Sequence, residues 1–141
     1  MSQRLKQYLN DVFDGKNTTI SEISQDLNSQ NRFQSMVKDL EITTEQSLER
    51  NIKNIASMSF KDSTDVGCVV SLLLFSMELD SYHSMHSSSW YKRDMLVETL
   101  HDIFLCHDIQ TSYVFKPEDS NLFWRFYFVL IVCITLLVLN V

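Results

Sequence analysis

The stretch that most constrains this chain begins at Val66 and runs VGCVVSLLLFSM, apolar apart from Gly67 and two serines until Glu78. An amphipathic helix keeps a polar face toward water; this run has none, so it belongs inside a set of other elements. It falls short of the ~20 apolar residues that cross a bilayer and reads as a buried core helix. A β-strand is the competing reading, because Val69, Val70 and Phe75 suit either state. Length favours the helix, and Asp65 stands where an N-cap side chain accepts from the first unpaired N–H groups.

The remaining sequence has to wrap that core. A length of 141 residues suits one domain. One proline, two glycines and no sustained alternation of polarity predict an all-α chain. A net charge of −6 without a basic stripe argues against nucleic acid as a partner. Cys68, Cys106 and Cys133 are odd in number and sit in apolar surroundings, which suits small buried hydrophobes in a reducing compartment. The polar, amphipathic start from Met1 to Asp14 does not read as a signal peptide, so the glycosylation sequon at Asn17 carries no meaning.

Helical spacing recurs along the chain. Leu5, Tyr8, Leu9, Val12 and Phe13 predict a first helix between Gln3 and Phe13, ended by Gly15 in a left-handed conformation. Ile20, Ile23 and Leu27, then Phe33, Met36, Val37 and Leu40, give two helices or one bent one around the polar cluster Asn28 to Asn31. Thr43-Thr44-Glu45-Gln46 reads as a capping box for a helix that turns Leu48, Ile52, Ile55 and Ala56 inward. The central helix is expected to continue toward Tyr82. A Ser/His-rich turn from Ser84 to Ser89 leads to a helix between Trp90 and Phe104, with Leu96, Leu100, Ile103 and Phe104 on one side. So short a connection favours an antiparallel hairpin. Pro117 marks a break, and Glu118 to Ser120 supply caps for a last helix.

Two places in this pattern resemble the Bcl-2 family. Its first homology motif, Phe-x-Asp-Gly-x-Asn-Trp-Gly-Arg followed by an apolar helix with a phenylalanine, is matched by Phe60, Asp62, Gly67, Val69, Val70 and Phe75. Ser63 stands at the first glycine, Asp65-Val66 at Asn-Trp, and Cys68 at the arginine. The second motif, Asn-Gly-Gly-Trp-x-x-Phe, is similar to Asn121-Leu122-Phe123-Trp124 with Tyr127, both glycines being replaced. The order of elements agrees, and the short link after the first helix resembles compact viral members. No Leu-x-x-x-Gly-Asp core of the third motif appears around Leu27 or Val37.

The resemblance implies a Bcl-2-like helical bundle around a buried central hairpin, in which an apolar groove accepts an amphipathic helix. By position, Ile52, Ile55, Ala56, Phe60, Val70 and Phe75 line it, Gly67 allows close approach, and Cys68 replaces the arginine; ordinary core is the competing reading of each aliphatic residue. The implied function is a viral inhibitor of apoptosis that sequesters death-promoting helices of pro-apoptotic relatives, with a narrow repertoire. Rival readings are an immune-signalling blocker with a closed groove, a membrane-permeabilising executioner, and an unrelated tail-anchored helical protein.

Chemistry finds little purchase. His83 with His86, or His101 with Cys106 and His107, match no zinc spacing, and no phosphate loop, nucleophile elbow or paired carboxylates accompany them. No enzyme activity and no cofactor are expected. Residues 1–125 form the expected bundle and 126–141 an apolar C-terminal segment. Free of charge from Phe126 to Leu139, that segment offers only ~24 Å of helix against a ~30 Å hydrocarbon core. Snorkelling by Arg125 would help it to anchor, and the family resemblance implies the host mitochondrial outer membrane, while packing on the bundle or in the groove is the alternative.

Overall fold

The computed structural model describes residues 2–16, 20–22, 37–60, 66–86 and 88–109. Among them all regular structure is helical: α1 (Ser2–Phe13), α2 (Glu45–Ser59), α3 (Val66–Met85) and α4 (Arg93–Cys106), with further helical residues at 20–22 and 37–39. Asp65, Pro117, the stretch 28–31 and the whole of 110–141, including Trp124, Tyr127 and the expected last helix, lie outside the described residues.

In α1, Leu5, Leu9, Val12 and Phe13 are buried at helical spacing, and Tyr8 packs half-buried beside them. Burial raises the pKa of the Tyr8 hydroxyl. Gly15 ends the helix at φ 75°. Its N–H donates to Val12 O at 3.1 Å and the Lys16 N–H to Asp11 O at 2.9 Å, so two of the last carbonyls are satisfied. Asp108 closes α4 the same way at φ 52°, with Asp108 N–H on Leu105 O and Ile109 N–H on Phe104 O.

The cap of α2 falls one residue later than the sequence pattern suggests. Thr44 is the N-cap: its Oγ1 accepts from Ser47 N–H at 3.1 Å, while Ser47 Oγ accepts from Thr44 N–H at 3.1 Å. Serine at the third position thus does what glutamine does in the usual box. One face of α2, Leu48, Ile52, Ile55 and Ala56, is buried as expected.

Helix α3 carries no polar stripe. Every residue from 70 to 76 is buried, two full turns facing protein in all directions. Ser76 is tolerated there because its hydroxyl donates to Leu72 O at 2.8 Å. The helix runs past Tyr82 to Met85, and α4 starts only at Arg93, because residues 88–91 form a turn closed by Tyr91 N–H on Ser88 O at 3.2 Å. Leu96, Leu100, Ile103 and Phe104 are buried as expected, together with Val97, Thr99 and His101.

Helix α3 touches all three others, whereas α4 makes its broadest contacts with α1 and α2. An outer ion pair of Lys6 with Glu98 at 2.6 Å joins α1 to α4. Its acceptor role toward Lys6, first as hydrogen bond and then as charge, lowers the pKa of Glu98.

Candidate functional site

The groove candidates lie on α2, on Phe60 at its end and on the first half of α3. Helical spacing brings Ile52, Ile55 and Ala56 onto the inner side of α2, and all three are inaccessible to solvent. Phe60 caps that helix, its N–H donating to Ala56 O at 2.9 Å. The Phe60 ring is buried and meets His107, beyond the end of α4, edge-on at 5.2 Å between centroids. Cys68, Val70 and Phe75 are buried on α3, while Val69 packs against the core from a half-exposed position. Gly67 occupies the second position of α3, and its surroundings lie outside the description.

Ile52, Ile55, Ala56, Phe60, Cys68, Val70 and Phe75 thus all belong to the hydrophobic core of the described residues, which also includes residues of α1 and α4. These side chains are aliphatic or aromatic, apart from the thiol of Cys68. Among the described residues, no group of three His, Cys, Asp or Glu side chains has the spacing of a metal site. No helix of the described residues is long and apolar enough to cross a membrane.

A second constellation lies at the other end of α3, and the sequence patterns did not point to it. Asp80 is buried one turn beyond the apolar run of α3. Its Oδ1 accepts from Tyr91 Oη at 2.6 Å and from Arg93 Nε at 3.3 Å, and its Oδ2 from Arg93 Nη2 at 2.9 Å. Arg93 also donates through Nη1 to Asp14 at 2.7 Å, and its guanidinium lies 5.8 Å from the centre of the Phe13 ring. The Asp80 hydrogen bond is the first cause that raises the pKa of Arg93. Burial above all, then Asp80, pushes the Tyr91 hydroxyl far above the usual tyrosine range. A signal was present: a lone aspartate on a greasy helix demands a partner, and an arginine opening the next helix is a candidate.

No family model, curated protein or solved structure matches the chain.

Proposed function

We propose that the chain is a Bcl-2-like inhibitor of apoptosis, which sequesters amphipathic death-promoting helices of pro-apoptotic relatives in an apolar groove. The observation that carries the reading is the joint of α2 and α3. A helix buried on all sides from 70 to 76 follows an amphipathic one, and Phe60, at the first motif's phenylalanine, and Cys68, in place of its arginine, stand on either side of the link. The ligand's apolar side chains would replace the neighbours that now cover Ile52, Ile55, Ala56, Phe60, Val70 and Phe75, with Gly67 allowing close approach. In this reading residues 126–141 serve as an anchor at the mitochondrial outer membrane.

The burial of the seven candidates whose surroundings are described favours a second reading, in which the groove is closed and the protein blocks innate immune signalling. Titration of the full chain with a panel of pro-apoptotic helix peptides separates the two. At least one peptide is expected to bind, and Gly67→Glu is expected to abolish that binding while leaving helical circular dichroism intact. Unchanged binding by this variant refutes the groove assignment. No binding by the unaltered chain, with suppression of an immune-signalling reporter, selects the closed form.

A further inference from the structure

The corner between α3 and α4 holds a group that the proposed function does not use. His83 lies in the last turn of α3 and is 3% exposed. Its Nδ1 is 3.3 Å from Ser88 Oγ, and its Nε2 is buried with no hydrogen-bond partner among the described residues. Aromatic rings enclose it: Tyr82 edge-on at 5.1 Å, Trp90 at 4.9 Å and Tyr91 stacked at 5.5 Å between centroids.

This enclosure fits a neutral imidazole. With Nδ1–H donating to Ser88, Nε2 keeps a bare lone pair, which burial tolerates far better than a charge. The charged ring carries an N–H at Nε2 as well, with no acceptor described for it. The surrounding titratable and charged groups offer little compensation. On α3 they are Asp80, Tyr82 and His86, in the link Tyr91, and at the start of α4 Arg93, behind which stands Asp14 at the end of α1. The Asp80 carboxylate is already engaged by Tyr91 and Arg93, and the Arg93 guanidinium is itself a cation. Burial first and His86 second lower the pKa of His83 below the usual histidine value.

We propose that His83 is a proton-operated latch: charging it at mildly acidic pH drives the ring out of its aromatic enclosure and opens the α3–α4 corner. Tyr91 transmits the change. Its ring stacks on His83 while its hydroxyl holds Asp80, so moving Tyr91 strips Asp80 of its shortest hydrogen bond and loosens the Arg93 tie to α1 and α3. Because the folded pKa lies below the unfolded one, this stability is fully present above about pH 6.5 and is lost as pH falls through the folded value.

Native-state hydrogen exchange on the full chain, corrected for intrinsic rates, tests the latch at about pH 7.5 and about pH 5.5. Protection of residues 80–93 is expected to fall roughly tenfold at the lower pH while residues 48–56 keep theirs. His83→Gln is expected to remove that difference. Since the variant may loosen the corner by itself, nuclear magnetic resonance of the unaltered chain supplies a second measure. The His83 ring is expected to titrate below the unfolded value, with Trp90 and Tyr91 signals moving at the same midpoint. Equal protection at both pH values, a pH effect that persists in His83→Gln, a loss spread evenly over the chain, or Trp90 and Tyr91 signals that ignore the His83 midpoint would each overturn the proposal.

Discussion

The Tyr91 hydroxyl donates to Asp80 across 2.6 Å, fastening the link before α4 to the C-terminal part of α3. Arg93 grips the same carboxylate from the start of α4 and reaches Asp14 just past α1. Segments far apart in sequence therefore meet at one guanidinium, which holds Asp14 and an Asp80 carboxylate whose side chain is 8% exposed. The two ion pairs of Arg93 are unequal. Its pair with Asp14 has both partners around 40% exposed, at 39% and 43%, and such surface pairs contribute at most ~1 kcal/mol. Arg93→Ala strands a buried carboxylate with Tyr91 as its remaining donor from this network, and is expected to cost about 2–4 kcal/mol. Urea denaturation of Arg93→Ala and Asp14→Ala checks this. Equal losses would mean that Asp80 finds another partner or water.

Tyr91→Phe keeps the ring that stacks on His83 and deletes only the donor. A hydrogen bond to a charged group contributes ~1.5–3 kcal/mol, and a loss of that order is expected at neutral pH. The alkaline limb carries a second signature. The folded pKa of Tyr91 is raised, so its contribution is fully present below the unfolded value near pH ~10 and is lost as pH rises beyond it. The variant should lose less stability above that pH than the unaltered chain. Absorbance titration of phenolate should show one late-ionising tyrosine fewer.

Gly15 offers a cleaner test of local backbone energetics. A Cβ there would meet only Ser21 Oγ at 3.7 Å, an ordinary contact, so space is no obstacle to alanine. The cost lies in φ 75°, which L-residues disfavour by about 1 kcal/mol. Gly15→Ala is therefore expected to lower the denaturation midpoint by about that free energy, without changing helical content. A loss above ~3 kcal/mol would point to a displaced α1 terminus.

How far such relationships can be read in advance depends on their range. The face of α2 follows from i, i+4 spacing, and the all-round burial of α3 from the absence of any polar stripe. The Gly15 terminus is likewise local: glycine at the end of an apolar period has one common use. Boundaries moved where short side chains compete for the same backbone groups. Thr43, Thr44 and Ser47 all offer capping oxygens, and the box settled on the pair Thr44–Ser47. Residues 88–91 turn before α4 because Ser88 and Tyr91 close a backbone bond of their own. Asp80 on its apolar helix hinted at a partner, but the reach of Arg93 to Asp14 was not legible, since it joins residues 79 positions apart and depends on how the helices pack. The same limit applies to the joint of α2 and α3. Spacing marks Ile52, Ile55 and Ala56 as inward, and a groove wall and a core give that same pattern.

The chemistry of Cys68 yields the prediction that bears most directly on the proposed function. In the family that the chain resembles, an arginine at this position pairs with an aspartate of the bound helix. Cys68 is buried and its thiol supplies no such charge, so the ligand's carboxylate enters without its usual partner. Of the cations that the sequence offers, Lys61 lies outside the described residues; on α2, Lys53 is already held by Glu49 at 2.7 Å, and Arg50 is exposed. A rim pair from either is worth at most ~1 kcal/mol, against the ~3–5 kcal/mol that follows from breaking a buried pair. Each ~1.4 kcal/mol is a factor of ten in affinity. Replacing the ligand aspartate by alanine should therefore weaken binding by less than about tenfold here, whereas it should cost relatives that keep the arginine a hundredfold or more, on the order of the buried-pair loss. Only ligands with the strongest apolar anchors should bind at all. Isothermal titration of paired aspartate and alanine peptides against the full chain measures both effects. Broad and tight binding with a hundredfold dependence on the aspartate, of the order expected for a buried pair, would show that another cation reaches the carboxylate and that the charge argument from Cys68 is wrong.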